Sequence, residues 1–134
     1  MPEYVLWDFL EGARFENVIL RWVQDERLTK RDRAALNNRI RRLAQTDYAL
    51  AVQTKLLAGP IYKHVYKLVI HADRMLRPML CRGPIDNETE YTFLLGAIEI
   101  NWKLPRGSKE QAEGNREVVL SNADRRCIHE DIPQ

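Results

Sequence analysis

Three runs, IYKHVYKLVI (residues 61–70), MLRPMLCRG (75–83) and EYTFLLGAIEINW (90–102), decide the fold of this chain. Each is rich in Val, Ile, Leu, Tyr and Phe, has the length of a strand, and is bounded by Pro, Gly, Asp or Asn. Joined by short turns, they predict an antiparallel meander. In the first run Tyr62, His64, Tyr66, Leu68 and Ile70 alternate with Ile61, Lys63, Val65, Lys67 and Val69, which sets Lys63 and Lys67 on one face. His71-Ala72-Asp73-Arg74 reads as a hairpin turn. Pro78 cannot donate to a ladder, so the second run must lie at an edge, carry a bulge, or be short on one side of the proline.

Upstream of the meander, Phe15, Val18, Ile19, Trp22 and Val23 form one apolar stripe of an amphipathic helix within residues 14–27. Thr29 followed three residues later by Asp32 is a capping pair, and a second helix runs from there to about Gln45, burying Leu36, Ile40 and Leu43. The short break Arg27-Leu28-Thr29 between them predicts a helical hairpin. Residues 47–57 read as a third short helix or as a lead-in, ended by Ala58-Gly59-Pro60. Beyond Trp102, Leu104-Pro105-Arg106-Gly107 is a loop, and Ser108 starts a helix that reaches Ser121 or Asn122. The expectation is a single α+β domain over residues 1–134, with a helical hairpin packed on a three- to four-stranded antiparallel sheet. Its helical part covers about 1–57, its sheet about 60–103 and its C-terminal helix about 108–122. The polar tail ADRRCIHEDIPQ is expected to be disordered after about residue 128.

A chain of 134 residues buries roughly two-thirds of its unfolded surface, enough for a core without disulfides or metal. The start, MPEYVLWDFLEG, carries acids and lacks the basic and apolar regions of a signal peptide. No apolar run approaches the ~20 residues of a membrane helix. A cytoplasmic location without a membrane partner is therefore expected. Cys81 and Cys127 make neither a disulfide framework nor a CxxC pair, which fits reduced thiols. The net charge of +2 hides a segregation: between residues 29 and 82, twelve basic residues face three acids. That asymmetry points to a polyanion-facing surface, against the alternative of solvated helix faces.

No phosphate-binding loop, metalloprotease motif or nucleophile elbow is present, and His64, His71 and His129 lack metal-ligand spacing, so neither a metal nor a small-molecule cofactor is expected. Cys81, within a strand, reads as a small core hydrophobe. What remains is a set of cations on and beside the sheet: Lys63, Lys67, His71, Arg77, Arg82, Lys103, Arg106, Arg125, Arg126 and His129. On a concave face they could hold RNA phosphates, or stabilise the charge that develops when a 2′-hydroxyl attacks its neighbouring phosphate. Arginine suits the second task through its planar fork, and histidine suits proton transfer near neutral pH. For each residue alone the competing reading is a solvated surface charge.

The ordered set KLLAGPIYKHVYKLVI, MLRPMLC, YTFLLGAIEINWKLP and QAEGNR resembles the RelE/ParE superfamily of toxins, in its phage-derived HigB-like branch. The carriers are Tyr66-Lys67-Leu68, Arg77 ahead of hydrophobics, Lys103-Leu104-Pro105, and Ala112 with Arg116; the motifs span about half the chain. The resemblance implies a toxin of a type II toxin–antitoxin system: a metal-independent, ribosome-dependent mRNA endonuclease silenced by a cognate antitoxin protein. It assigns catalysis to Arg77, Lys103 and His129; among the remaining cations on and beside the sheet, Lys63, Lys67, His71, Arg82, Arg106 and Arg126 are the candidates for binding the nucleic acid. The sequence departs from the family at Val69, where relatives carry Arg, and at Glu99-Ile100-Asn101, where they carry paired lysines; Pro78 after Arg77 is also unusual. The loss of the lysine pair favours the alternative of a non-catalytic binding protein from a phage or mobile element, whereas Arg77 and the C-terminal His129 favour the endonuclease. A ParE-type gyrase inhibitor is the third reading.

Overall fold

The computed structural model describes residues 3–134, and its first element is a strand. Strand β1 (Val5–Glu11) runs parallel to β8 (Glu90–Leu95), with Leu6 opposite Tyr91 and Asp8 opposite Phe93. On its other side it pairs antiparallel with β10 (Arg126–Ile128). The two-residue β2 (Glu16–Asn17) folds back on its end. Strands β7 (Met79–Arg82), β4 (Val65–Leu68) and β3 (Leu57–Tyr62) complete a seven-stranded mixed sheet in the order β10-β1-β8-β7-β4-β3.

This corrects the expected architecture. The class is α+β, but a strand flanked on both sides, β1, precedes the helices where the sequence predicts a helical hairpin, and the sheet is larger and not purely antiparallel. Nor are residues 1–57 wholly helical, since β1 and β2 precede the first helix. The cause is physical. A strand paired on both edges within a covered sheet shows an apolar run, VLWDFL, without the alternation that marks a half-solvated strand.

A second, three-stranded sheet consists of β5 (Ile70–His71), β6 (Met75–Leu76) and β9 (Ile98–Glu99). Its strands continue β4, β7 and β8 past a shared bend. The breaks fall at Val69, Arg77-Pro78 and Gly96-Ala97. Backbone bonds from Leu68 N to Pro78 O (3.0 Å) and from Arg77 N to Ala97 O (2.8 Å) stitch the bend together. Pro78 brings no N–H to this ladder, and the second run is indeed cut beside it. Residues 61–70 are not one strand either: Lys63 and His64 form the tip of a β3–β4 hairpin, with Lys63 at φ +48° and Tyr62 paired with Val65. Lys63 and Lys67 are therefore not neighbours on one strand face.

Four helices cover the sheet. Helix α1 (Val18–Asp25) is capped by the Asn17 side chain, which accepts from Ile19 and Leu20 N–H. Helix α2 (Lys30–Ala44) starts with a complete Thr29–Asp32 capping box. Helix α3 (Tyr48–Gln53) is short, and α4 (Ser108–Ser121) begins after Gly107. Along the strands, Tyr66, Leu68, Leu80 and Phe93 join a core with Ile19, Leu36, Ile40 and Leu43. Their sequence neighbours Val65, Met79, Cys81 and Leu94 face the other way and join Ala112 of α4. Alternation thus gives a sheet held between helices on both faces. The tail is docked rather than loose: Ile132 is buried, and the Asn37 side chain both donates to its carbonyl (2.9 Å) and accepts from its N–H (2.8 Å).

Candidate nucleic-acid interface

The expected catalytic residues Arg77, Lys103 and His129 are not assembled. Arg77 sits at the bend, 3% exposed. Its guanidinium donates to the carbonyls of Ile70 (3.1 Å) and Leu76 (2.9 Å) and pairs with Glu99 at 3.4 Å. His129 follows the edge strand β10 with its side chain buried, Nδ1 lying 2.9 Å from Asp8 Oδ1 and the ring 5.6 Å from Phe93. The register places His129 beside Leu6, which is level with Tyr91 and Arg82. Arg77 therefore lies three strands across and five residues along from it, roughly 20 Å away at ordinary strand spacings. No single phosphate reaches both.

The nucleic-acid set is likewise dispersed. Arg126 is held between Glu90 (2.5 Å) and the Trp7 ring (4.1 Å), and Arg82 lies over Tyr48 at 3.9 Å. Arg125 covers Phe15. His71 is exposed on the small sheet, with Nδ1 2.9 Å from Met75 Sδ, and Lys63 stands at its hairpin tip over Tyr62. Each of these cations already has a structural neighbour.

Three of the expected residues do converge. Lys67, Lys103 and Arg106 line one groove of about 520 Å³, together with Glu99, Trp102, Lys109 and Glu110. Strand β4 supplies Lys67, and the connection from β9 to α4 supplies Lys103 and Arg106. Lys109 lies in the first turn of α4, whose cap Gly107 gives that turn no side-chain acceptor. A helix N-terminus favours anions, and Glu110 in the same turn already supplies one negative charge to it. Lys103, Arg106 and Lys109 are exposed and enter no ion pair among the described residues.

Glu99 is the groove's buried acid. Burial pushes its carboxyl up, but the hydrogen bond from Lys67 (2.7 Å) and the charge of Arg77 outweigh that and hold it below the usual carboxylate range. It is therefore ionised at neutral pH and neutralised by two cations. Glu99 thus closes an internal Arg77–Glu99–Lys67 cluster, and Lys103, Arg106 and Lys109 face solvent.

Between Glu99 and the loop stands a tight turn. Ile100 and Lys103 exchange both backbone hydrogen bonds at 3.0 Å, and the two central residues, Asn101 (φ +52°) and Trp102 (φ +66°), are left-handed. Such turns favour Asn-Gly. A tryptophan there costs on the order of 1–3 kcal/mol, yet its indole is 80% exposed. Trp102 and Lys109 were missed in the sequence. The signal for the first was Asn101 inside an apolar run, and for the second the spacing of two cations around a helix start.

Burial raises the Cys81 thiol to about 12, and Cys127, partly exposed, is raised too. A thiol-selective alkylating reagent is expected to label Cys127 slowly in the native protein and Cys81 only after denaturation, as read by intact mass. Native labelling of Cys81 would contradict its place in the core. Among the described residues no group of His, Cys, Asp and Glu could hold a metal ion, and no helix is long and apolar enough to cross a membrane. No protein-family model, curated protein or solved structure matches the chain.

Proposed function

We propose that this chain is a single-stranded RNA-binding protein of the toxin-like, non-cleaving kind, which grips the phosphate backbone in the Lys67–Arg106 groove. The observation that carries this reading is the convergence of Lys103, Arg106 and Lys109, exposed and in no ion pair among the described residues, on one groove that also holds Lys67 and whose four cations outnumber its two acids, Glu99 and Glu110. Cations so placed exchange counterions for phosphates, the dominant source of affinity for RNA. Binding without cleavage is favoured over the ribosome-dependent endonuclease because Arg77 is committed to two carbonyls and Glu99, and because His129 lies on the far edge of the sheet.

Inducible expression with ultraviolet crosslinking tests it. The protein is expected to crosslink to RNA that is recovered uncut, and the crosslinks are expected to fall when Lys103, Arg106 and Lys109 are changed to alanine together. Growth arrest with mRNA cut at ribosome-bound codons, abolished by Arg77→Ala and His129→Ala in folded protein, would overturn the non-cleaving reading and favour the endonuclease. Arrest with intact mRNA and no RNA crosslink would point to a gyrase-type target.

A further inference from the structure

The Ile100–Lys103 turn mounts an aromatic ring at the lip of the cationic groove, and folding does not account for it. Trp22 is seated against Gly96, and Trp7 lies under Arg126. Trp102 stands 80% exposed, and its neighbour Ile100 is 68% exposed. The turn is closed by two backbone bonds, so the indole has a rigid base. The left-handed backbone at Trp102 favours glycine, and the chain keeps its largest side chain there instead.

We propose that Trp102 is a stacking platform for an unpaired base of the RNA strand whose phosphates lie along Lys103, Arg106 and Lys109. The inference rests on the RNA-binding reading and adds its base contact. An exposed tryptophan alone would also suit a protein contact. Here four cations, Lys67, Lys103, Arg106 and Lys109, share its groove against two acids, Glu99 and Glu110, and that positive balance favours a polyanion with accessible ring faces. Because every base has a π-face and a duplex hides it, the platform selects single strands over duplex with little sequence preference.

The test compares wild type, Trp102→Gly and Trp102→Phe for binding, by fluorescence anisotropy, to oligouridine and to an abasic ribose-phosphate oligomer of equal length. Trp102→Gly is expected to weaken oligouridine binding about tenfold and leave abasic binding unchanged. Trp102→Phe is expected to retain most of the affinity. The glycine variant relieves the left-handed strain and should melt higher than wild type, so its loss of binding cannot be misfolding. Unchanged oligouridine binding by Trp102→Gly, or an equal loss on both oligomers, would overturn the platform while leaving the groove intact. Failure of wild type to bind either oligomer would overturn the groove reading and the platform together. Wild type that binds both oligomers equally tightly would assign the indole to a protein contact instead.

Discussion

Replacing Glu99 with alanine is expected to destabilise the fold by about 3–5 kcal/mol, because the change leaves a buried guanidinium without its anion. Arg77 is 3% exposed and cannot move to water, whereas Lys67 has a flexible stem and a partly exposed side chain that can. Urea denaturation at neutral pH measures the loss. Changing Arg77 to Met together with Glu99 to Leu should recover most of it, since an apolar pair of similar volume often replaces a buried ion pair without loss. The pH dependence has a definite sign. The folded carboxyl lies below its ordinary value of 4.5, so its contribution to stability is fully present above that value. It is lost as pH falls from there through the lower folded value. The Glu99→Ala variant should lack this part of the acid transition.

Gly96→Ala carries the second largest effect. A Cβ at that position would stand 2.0 Å from Trp22 Cδ2 and 2.2 Å from Cγ, so the indole or the strand must move. Overpacking of this kind costs about 1–3 kcal/mol, and a rigid aromatic against backbone belongs at the upper end. A loss near ~3 kcal/mol would lower the melting temperature by roughly 10 °C in a chain of this size. Trp22→Leu alone should also destabilise, but the two losses should fall short of additive by more than about 1 kcal/mol, as for residues in direct contact. Additive losses would mean that Trp22 does not seat on Gly96.

The particular residues explain what could be read without coordinates. The Thr29–Asp32 capping box was legible because its spacing is a local signal. So was the turn after His71, bounded by short apolar runs. Strand β1 was not, because a strand buried between two partners carries no alternation. The turn at Lys63-His64 contains neither glycine nor proline, so the hairpin read as one long strand. The docking of the tail depends on Asn37, ninety-five residues from Ile132, and on the ion pair of Arg41 with Asp131. Contacts at that separation leave no mark in a local pattern. For the site, composition located the cations but not their inner or outer placement: Arg77 and Arg126 entered the structure, while Lys103, Arg106 and Lys109 met at one groove.

The most direct measurement is the salt dependence of single-stranded RNA binding by wild type and by the variant with Lys103, Arg106 and Lys109 all changed to alanine. Three phosphate contacts predict a slope of log affinity against log salt of about −2 for a single strand, or roughly a 20-fold loss between ~50 and ~200 mM. The triple variant should bind weakly with a slope near zero. A wild type that does not bind RNA at low salt, or a triple variant that keeps both affinity and slope, would contradict the groove as the RNA site.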